Sequence, residues 1–140
     1  MAKAGPIILV EDDEDDVLFL TDTLKQLEVP NKLIWFAHTV DCLNYLRTTR
    51  DKPFFILCDV NLQLRNGLEF KRELDNDPFL RKKSIPFIFY STSVEQRFVD
   101  IAYSEMTLQG FFQKGYDFKE ISATMKTIID YWKICQHPNI

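Results

Sequence analysis

The sequence predicts an α/β fold, a parallel sheet with helices on both faces, and three observations carry that prediction. Short runs of consecutive apolar residues, foremost Ile7-Ile8-Leu9-Val10 and Phe54-Phe55-Ile56-Leu57-Cys58, read as strands buried on both faces. Between such runs lie segments whose apolar residues recur at helical spacing, so that strand and helix alternate five times. Each crossover between parallel strands is right-handed, which points every strand's C-terminal end toward one edge of the sheet.

Taken in order, the first strand, 7–10, stops abruptly at Glu11-Asp12-Asp13-Glu14-Asp15-Asp16. The later acids suit the first turn of a helix, where negative charge meets the positive end of the macrodipole, and they read as a solvated helix start in which Asp13 has no metal role. Val17, Leu20, Leu24 and Leu27 mark that helix's apolar face, and Val29-Pro30-Asn31 breaks it. Leu33 to Ala37 is the second strand; Val40, Leu43 and Leu46 stripe a shorter helix ending near Arg50. The central strand follows Lys52-Pro53 and delivers Asp59 at its end. A loop over 61–67 leads through Gly67 into a helix begun by Leu68, Lys71 and Leu74, which ends around Asn76-Asp77-Pro78. Ile85 to Tyr90 is the fourth strand, closing on Ser91-Thr92-Ser93; Val94, Phe98, Ile101 and Met106 line the next helix. Gly110 to Gln113 is a short fifth strand ended by Lys114-Gly115. A long last helix is striped by Ile121, Met125, Ile128, Trp132 and Cys135, with a tail over 136–140.

A chain of 140 residues suits one domain, with its core over about 6–135. The net charge of −4 with no Lys/Arg-rich run argues against nucleic acid as a direct partner, and no apolar stretch approaches the roughly 20 residues of a membrane-spanning helix. Cys42, Cys58 and Cys135 are an odd number without metal-ligand spacing, as expected of reduced thiols in a cytoplasmic protein. His38 and His137 have no evident partners. Packing is the first reading of the last helix's stripe, with Tyr131 and Trp132 also open to a dimer contact.

Chemistry is expected where the strands end. Glu11 and Asp12 follow the first strand, Asp59 the third, Ser91 the fourth and Lys114 the fifth, on the edge where open α/β sheets bind ligands. Three carboxylates around one ammonium leave an excess of negative charge unless a carboxyl is protonated or a cation binds. Hard oxygen donors favour Mg²⁺, which keeps a place for a phosphate oxygen, so that Asp59 could act as nucleophile toward a phosphoryl donor while Ser91 and Lys114 contact its oxygens.

These residues, strand by strand, resemble the receiver domain of the two-component response-regulator family over about Pro6 to Trp132. The run Ile8-Leu9-Val10-Glu11-Asp12-Asp13-Glu14-Asp15-Asp16 is similar to the subgroup that partners bacterial phytochrome kinases, and Gly67 matches the family's glycine after the acceptor loop. The resemblance implies a flavodoxin-like (βα)5 doubly wound sheet of order 2-1-3-4-5. It further implies phosphorylation of Asp59 and Mg²⁺ held by Glu11, Asp12, Asp59 and the backbone carbonyl of Asn61. Ser91 and Phe111 would be the switch residues, and Asn61 and Ser93 lie where relatives tune the phosphoryl lifetime. The partners implied are a sensor histidine kinase or phosphotransfer protein and a downstream protein target, with no membrane and no fused effector. A homodimer through the last two helices and the fifth strand stays open. The role is that of a signalling switch rather than a metabolic enzyme.

Three departures stand out: Gly115 replaces the family's proline, usually in a cis bond, after the site lysine; Leu62-Gln63 replaces Met-Pro; and Thr92 replaces a small residue, narrowing access. They keep a phosphorylation-independent pseudo-receiver as the alternative. A flavin binder would need a phosphate-cradling loop where the six acids stand, and a Rossmann domain its Gly-x-Gly-x-x-Gly, absent among four glycines. Aspartate-nucleophile phosphohydrolases resemble a pattern with an acid two residues beyond the nucleophile, where this chain has Asn61.

Overall fold

The computed structural model describes residues 2–92 and 94–139, so Ser93 lies outside the described residues. Five parallel strands, β1 (Ile7–Val10), β2 (Leu33–Phe36), β3 (Phe55–Cys58), β4 (Phe87–Ser91) and β5 (Gly110–Gln113), form one sheet in the order β2-β1-β3-β4-β5. Helices α1 (Glu14–Gln26), α2 (Thr39–Thr48), α3 (Gly67–Asn76), α4 (Pro78–Lys83), α5 (Gln96–Glu105) and α6 (Phe118–Ile134) cover it. The expected doubly wound architecture and strand order are those observed.

Because strand side chains alternate between faces, the apolar runs feed two cores. Ile8, Val10, Ile56, Cys58, Phe87 and Phe89 pack against α2, α3 and α5, whereas Ile7, Leu9, Leu57, Ile88 and Tyr90 pack against α1 and α6. β1, β3 and β4 are buried on both faces, which is why they read as unbroken apolar runs. Pro86 has no N–H to give the ladder, so β4 begins at Phe87, two residues later than the apolar run suggests.

Local signals set the helix ends. Asp13 accepts from the amides of Asp15 and Asp16 as the α1 N-cap, the helix-start role its position predicts. Asp77 does double duty. Its backbone closes α3 while its side chain accepts from the amides of Phe79 and Leu80, with Pro78 in the first turn of α4. Pro78–Lys83, for which the sequence suggests no element, is therefore a helix: the same Asp-Pro pair that stops one helix starts another.

Two further expectations change. His137 has partners: its Nε2 lies 2.7 Å from the Phe54 carbonyl oxygen, and its ring packs on Phe54 and Trp132. Asn139 donates from Nδ2 to the Lys83 carbonyl at 2.6 Å, so the tail lies along the sheet's lower edge. Trp132 is buried in the core, which leaves Tyr131 as the exposed member of that aromatic pair. Among the described residues no helix is long and apolar enough to cross a membrane.

Candidate functional site

Strand register assembles the site. Val10 pairs with Cys58, and the amide of Asp59 donates to the Val10 carbonyl at 3.0 Å, which sets Glu11 and Asp59 side by side where β1 and β3 end. Ser91 pairs with Gln113, and the Lys114 amide donates to the Ser91 carbonyl at 2.9 Å. Four residues spread over more than a hundred positions thus meet because four strands stop together.

At the centre, Lys114 Nζ donates to Glu11 Oε2 at 2.5 Å, Asp59 Oδ2 at 2.8 Å and Asp16 Oδ2 at 2.8 Å. The other oxygen of Asp59, Oδ1, accepts from Ser91 Oγ at 2.6 Å and from the Asn61 amide at 3.1 Å. Glu11, Asp59, Ser91 and Lys114 are all buried. Burial, and next the charge of Asp59, push the Glu11 carboxyl up to about 7 against the opposing pull of Lys114. Burial alone would lower Lys114, but the charge of Asp59 and hydrogen bonds to Asp16, Asp59 and Glu11 outweigh it, so its pKa is raised and the ammonium stays charged. This is the expected excess of negative charge, relieved in part by a Glu11 that holds a proton near neutrality.

Asp12 stands apart. Its carboxylate accepts from the Gln63 amide at 2.8 Å, which ties the loop after Asp59 to the end of β1. Gln63, which stands where the family has proline, anchors that loop through its backbone N–H. Among the described residues no three acidic, thiol or imidazole groups stand close enough to hold a metal as they are. In donor chemistry the set still fits a hard divalent cation: Glu11, Asp12 and Asp59 all offer carboxylate oxygens where β1 and β3 end, and a positive charge, that of Lys114, already bridges Glu11 and Asp59.

Asp16 belongs to the site, although the acidic run reads as a solvated helix start. It lies four residues before Leu20 and eight before Leu24, on the helix face that turns inward, and that spacing is the signal that places it. Phe111 is half-buried, its ring centroid 5.4 Å from that of Phe89 in the core. Thr92 is exposed at the rim.

Two glycines let helices close on the site. A Cβ on Gly67 would fall 2.2 Å from the Asp59 carbonyl oxygen, so α3 can start against Asp59 only where no side chain intervenes. One on Gly115 would meet Glu120 Cβ at 2.7 Å, at the start of α6. The Lys114–Gly115 bond is trans, and close approach explains glycine there. Burial holds the thiols of Cys42, up to about 12, and of Cys58 far from ionisation, which leaves Cys58 a packing residue beside Asp59.

Known proteins resemble this chain in sequence and in fold. Residues 7–126 match the model of the response regulator receiver domain. Response regulator Rcp1 of Synechocystis is 25% identical over 131 residues, covering 90% of this chain and 87% of that protein. The crystal structure of the phosphorylated cyanobacterial phytochrome response regulator RcpA superposes with a TM-score of 0.83 at 25% identity, covering 96% of this chain and 98% of that one. The Mn²⁺-bound form of Rcp1 superposes with a TM-score of 0.80 at 25% identity, covering 94% and 97%.

Proposed function

The chain belongs to the response regulator receiver domain family, and from that membership we propose that Asp59 accepts a phosphoryl group from a phosphohistidine of a sensor histidine kinase or phosphotransfer protein. The observation that carries this reading is the seating of Asp59, with Ser91 Oγ on one carboxylate oxygen and Lys114 Nζ on the other. Both donors are already aimed at the place where phosphoryl oxygens arrive.

In the transfer, an Asp59 carboxylate oxygen forms the new bond to phosphorus while the P–N bond to the donor imidazole breaks, its electrons returning to the ring nitrogen. Lys114, charged throughout, meets the incoming oxygens as a point charge, and the Ser91 hydroxyl donates to one of them. Glu11, Asp12, Asp59 and the Asn61 carbonyl are the groups that would hold Mg²⁺, which supplies positive charge against the phosphoryl oxygens when bound. Two of the comparison proteins point the same way, RcpA being phosphorylated and Rcp1 holding Mn²⁺.

Phosphorylation adds about −1.5 to −2 charge at pH 7. Ser91 ends β4 and Lys114 follows β5, so a shift of either toward the phosphoryl group repacks the loop before α5 and the Phe111 strand. Output is then a change in affinity for a protein partner on the face of α5, β5 and α6, where Tyr103 and Tyr131 are exposed, and a second copy of the chain is one such partner. Three unpaired cysteines fit a reducing, cytoplasmic setting.

Intact mass after treatment with acetyl phosphate and Mg²⁺ tests the proposal. One phosphoryl adduct that needs the metal and vanishes in Asp59→Asn is expected. Absence of an adduct, together with no spectral change on adding beryllofluoride, would leave a phosphorylation-independent interaction module.

A further inference from the structure

At the opposite edge of the sheet from Asp59, beneath the starts of β3 and β4, lies a cavity of about 330 Å³. Leu46, Ile56, Leu74 and Phe87 make its apolar walls, and Pro138 of the tail closes one side. That volume sits at the low end of the roughly 300–1,000 Å³ typical of small-molecule sites.

Its polar groups carry the argument. Lys71 is a buried cation, its side chain only 6% exposed. Its Nζ donates to Asp75 Oδ1 at 2.8 Å and Thr107 Oγ1 at 3.1 Å, and lies 4.9 Å from the centre of the Phe87 ring. An ammonium has three N–H donors, and among the described residues no protein acceptor takes the third. Burial lowers the Lys71 pKa, as expected of a cation short of counter-charge. Asp75 is fully engaged, since it also accepts from the amide and hydroxyl of Thr107 at 3.0 and 2.7 Å. Arg81 lines the same cavity with no carboxylate partner among the described residues. Two cations against one carboxylate leave a net charge of +1 beside an apolar recess.

We propose that this cavity binds a small monocarboxylate whose apolar body fills the recess while its carboxylate pairs with Lys71 and Arg81. One negative charge neutralises the site, whereas a phosphate dianion would leave an excess of negative charge in partly buried surroundings. The anchor is preorganised, because Lys71 is held by Asp75, Thr107 and the Phe87 ring before any ligand arrives. Nothing in the proposal depends on phosphorylation of Asp59.

Amide chemical shifts of the full chain, followed during titration with benzoate, benzyl alcohol and inorganic phosphate, test it. Saturable benzoate shifts in the millimolar range at Thr107, Gln109 and Asn139 are expected. Arg81→Gln, at an exposed position, is expected to weaken them about tenfold through loss of a charge-assisted hydrogen bond. No saturable shift, equal binding of benzyl alcohol, tighter binding of phosphate, or an unchanged affinity in Arg81→Gln would each overturn the proposal.

Discussion

Replacing Glu11 by glutamine isolates the electrostatic load of the acidic site. The substitution keeps an oxygen able to accept from Lys114 and removes the charge that Glu11 carries beside Asp59. In the fold the Glu11 carboxyl titrates at about 7, against an ordinary value of 4.5. Between those two pH values the folded protein holds a proton that the unfolded chain has lost, so stability owed to Glu11 falls as pH rises through this window and levels off above 7. A displacement of 2.5 pH units at 1.36 kcal/mol each corresponds to about 3 kcal/mol. Urea denaturation of both proteins at intervals from pH 5 to 8, without divalent metal, reads this directly. Glu11→Gln should gain on the natural sequence with rising pH, by about 2–3 kcal/mol across the range. Magnesium should narrow the gap at pH 8, where the ionised carboxylate is available to a cation, more than at pH 5.5. A stability difference constant within about 0.5 kcal/mol over the whole range would refute the reasoning, since it would mean that Glu11 is charged throughout.

Two further outcomes are expected. Gly67→Ala drives a methyl into the Asp59 carbonyl oxygen and the Val60 Cα, backbone atoms that cannot rotate away, and should cost about 1–3 kcal/mol while slowing phosphorylation by acetyl phosphate. A variant with unchanged melting temperature and rate would show that α3 does not brace Asp59. Asp16→Asn removes one of the three carboxylates on Lys114, but the Asp16 side chain is 38% exposed, so urea denaturation should show a loss below about 1 kcal/mol, with phosphorylation retained. A loss above about 2 kcal/mol would place Asp16 among the structural supports of the site.

The alternation of strand and helix, the burial of β1, β3 and β4 and the family resemblance were legible in the sequence because each is a local or periodic signal. Burial on both faces writes itself as consecutive apolar residues, and Asp13 announces a helix start by its position alone. The short helix α4 was missed because Asp77-Pro78 serves equally as a stop and a start, and a window of six residues is too short for periodicity to choose. Asp16 was hidden for a different reason: in an unbroken acidic run, only the inward face marked by Leu20 and Leu24 distinguishes the residue that reaches Lys114.

The sequence by itself determined which residue types end each strand, and hence the chemistry available at one edge of the sheet. Tertiary structure alone decided how those groups pair: Lys114 bridging Glu11, Asp16 and Asp59, Asp12 drawn to the Gln63 amide, and His137 bound under Phe54. The physical reason is range. Propensity and periodicity act over a few residues, but an ammonium and a carboxylate 103 residues apart meet only after strand register and helix packing have set the distance between them.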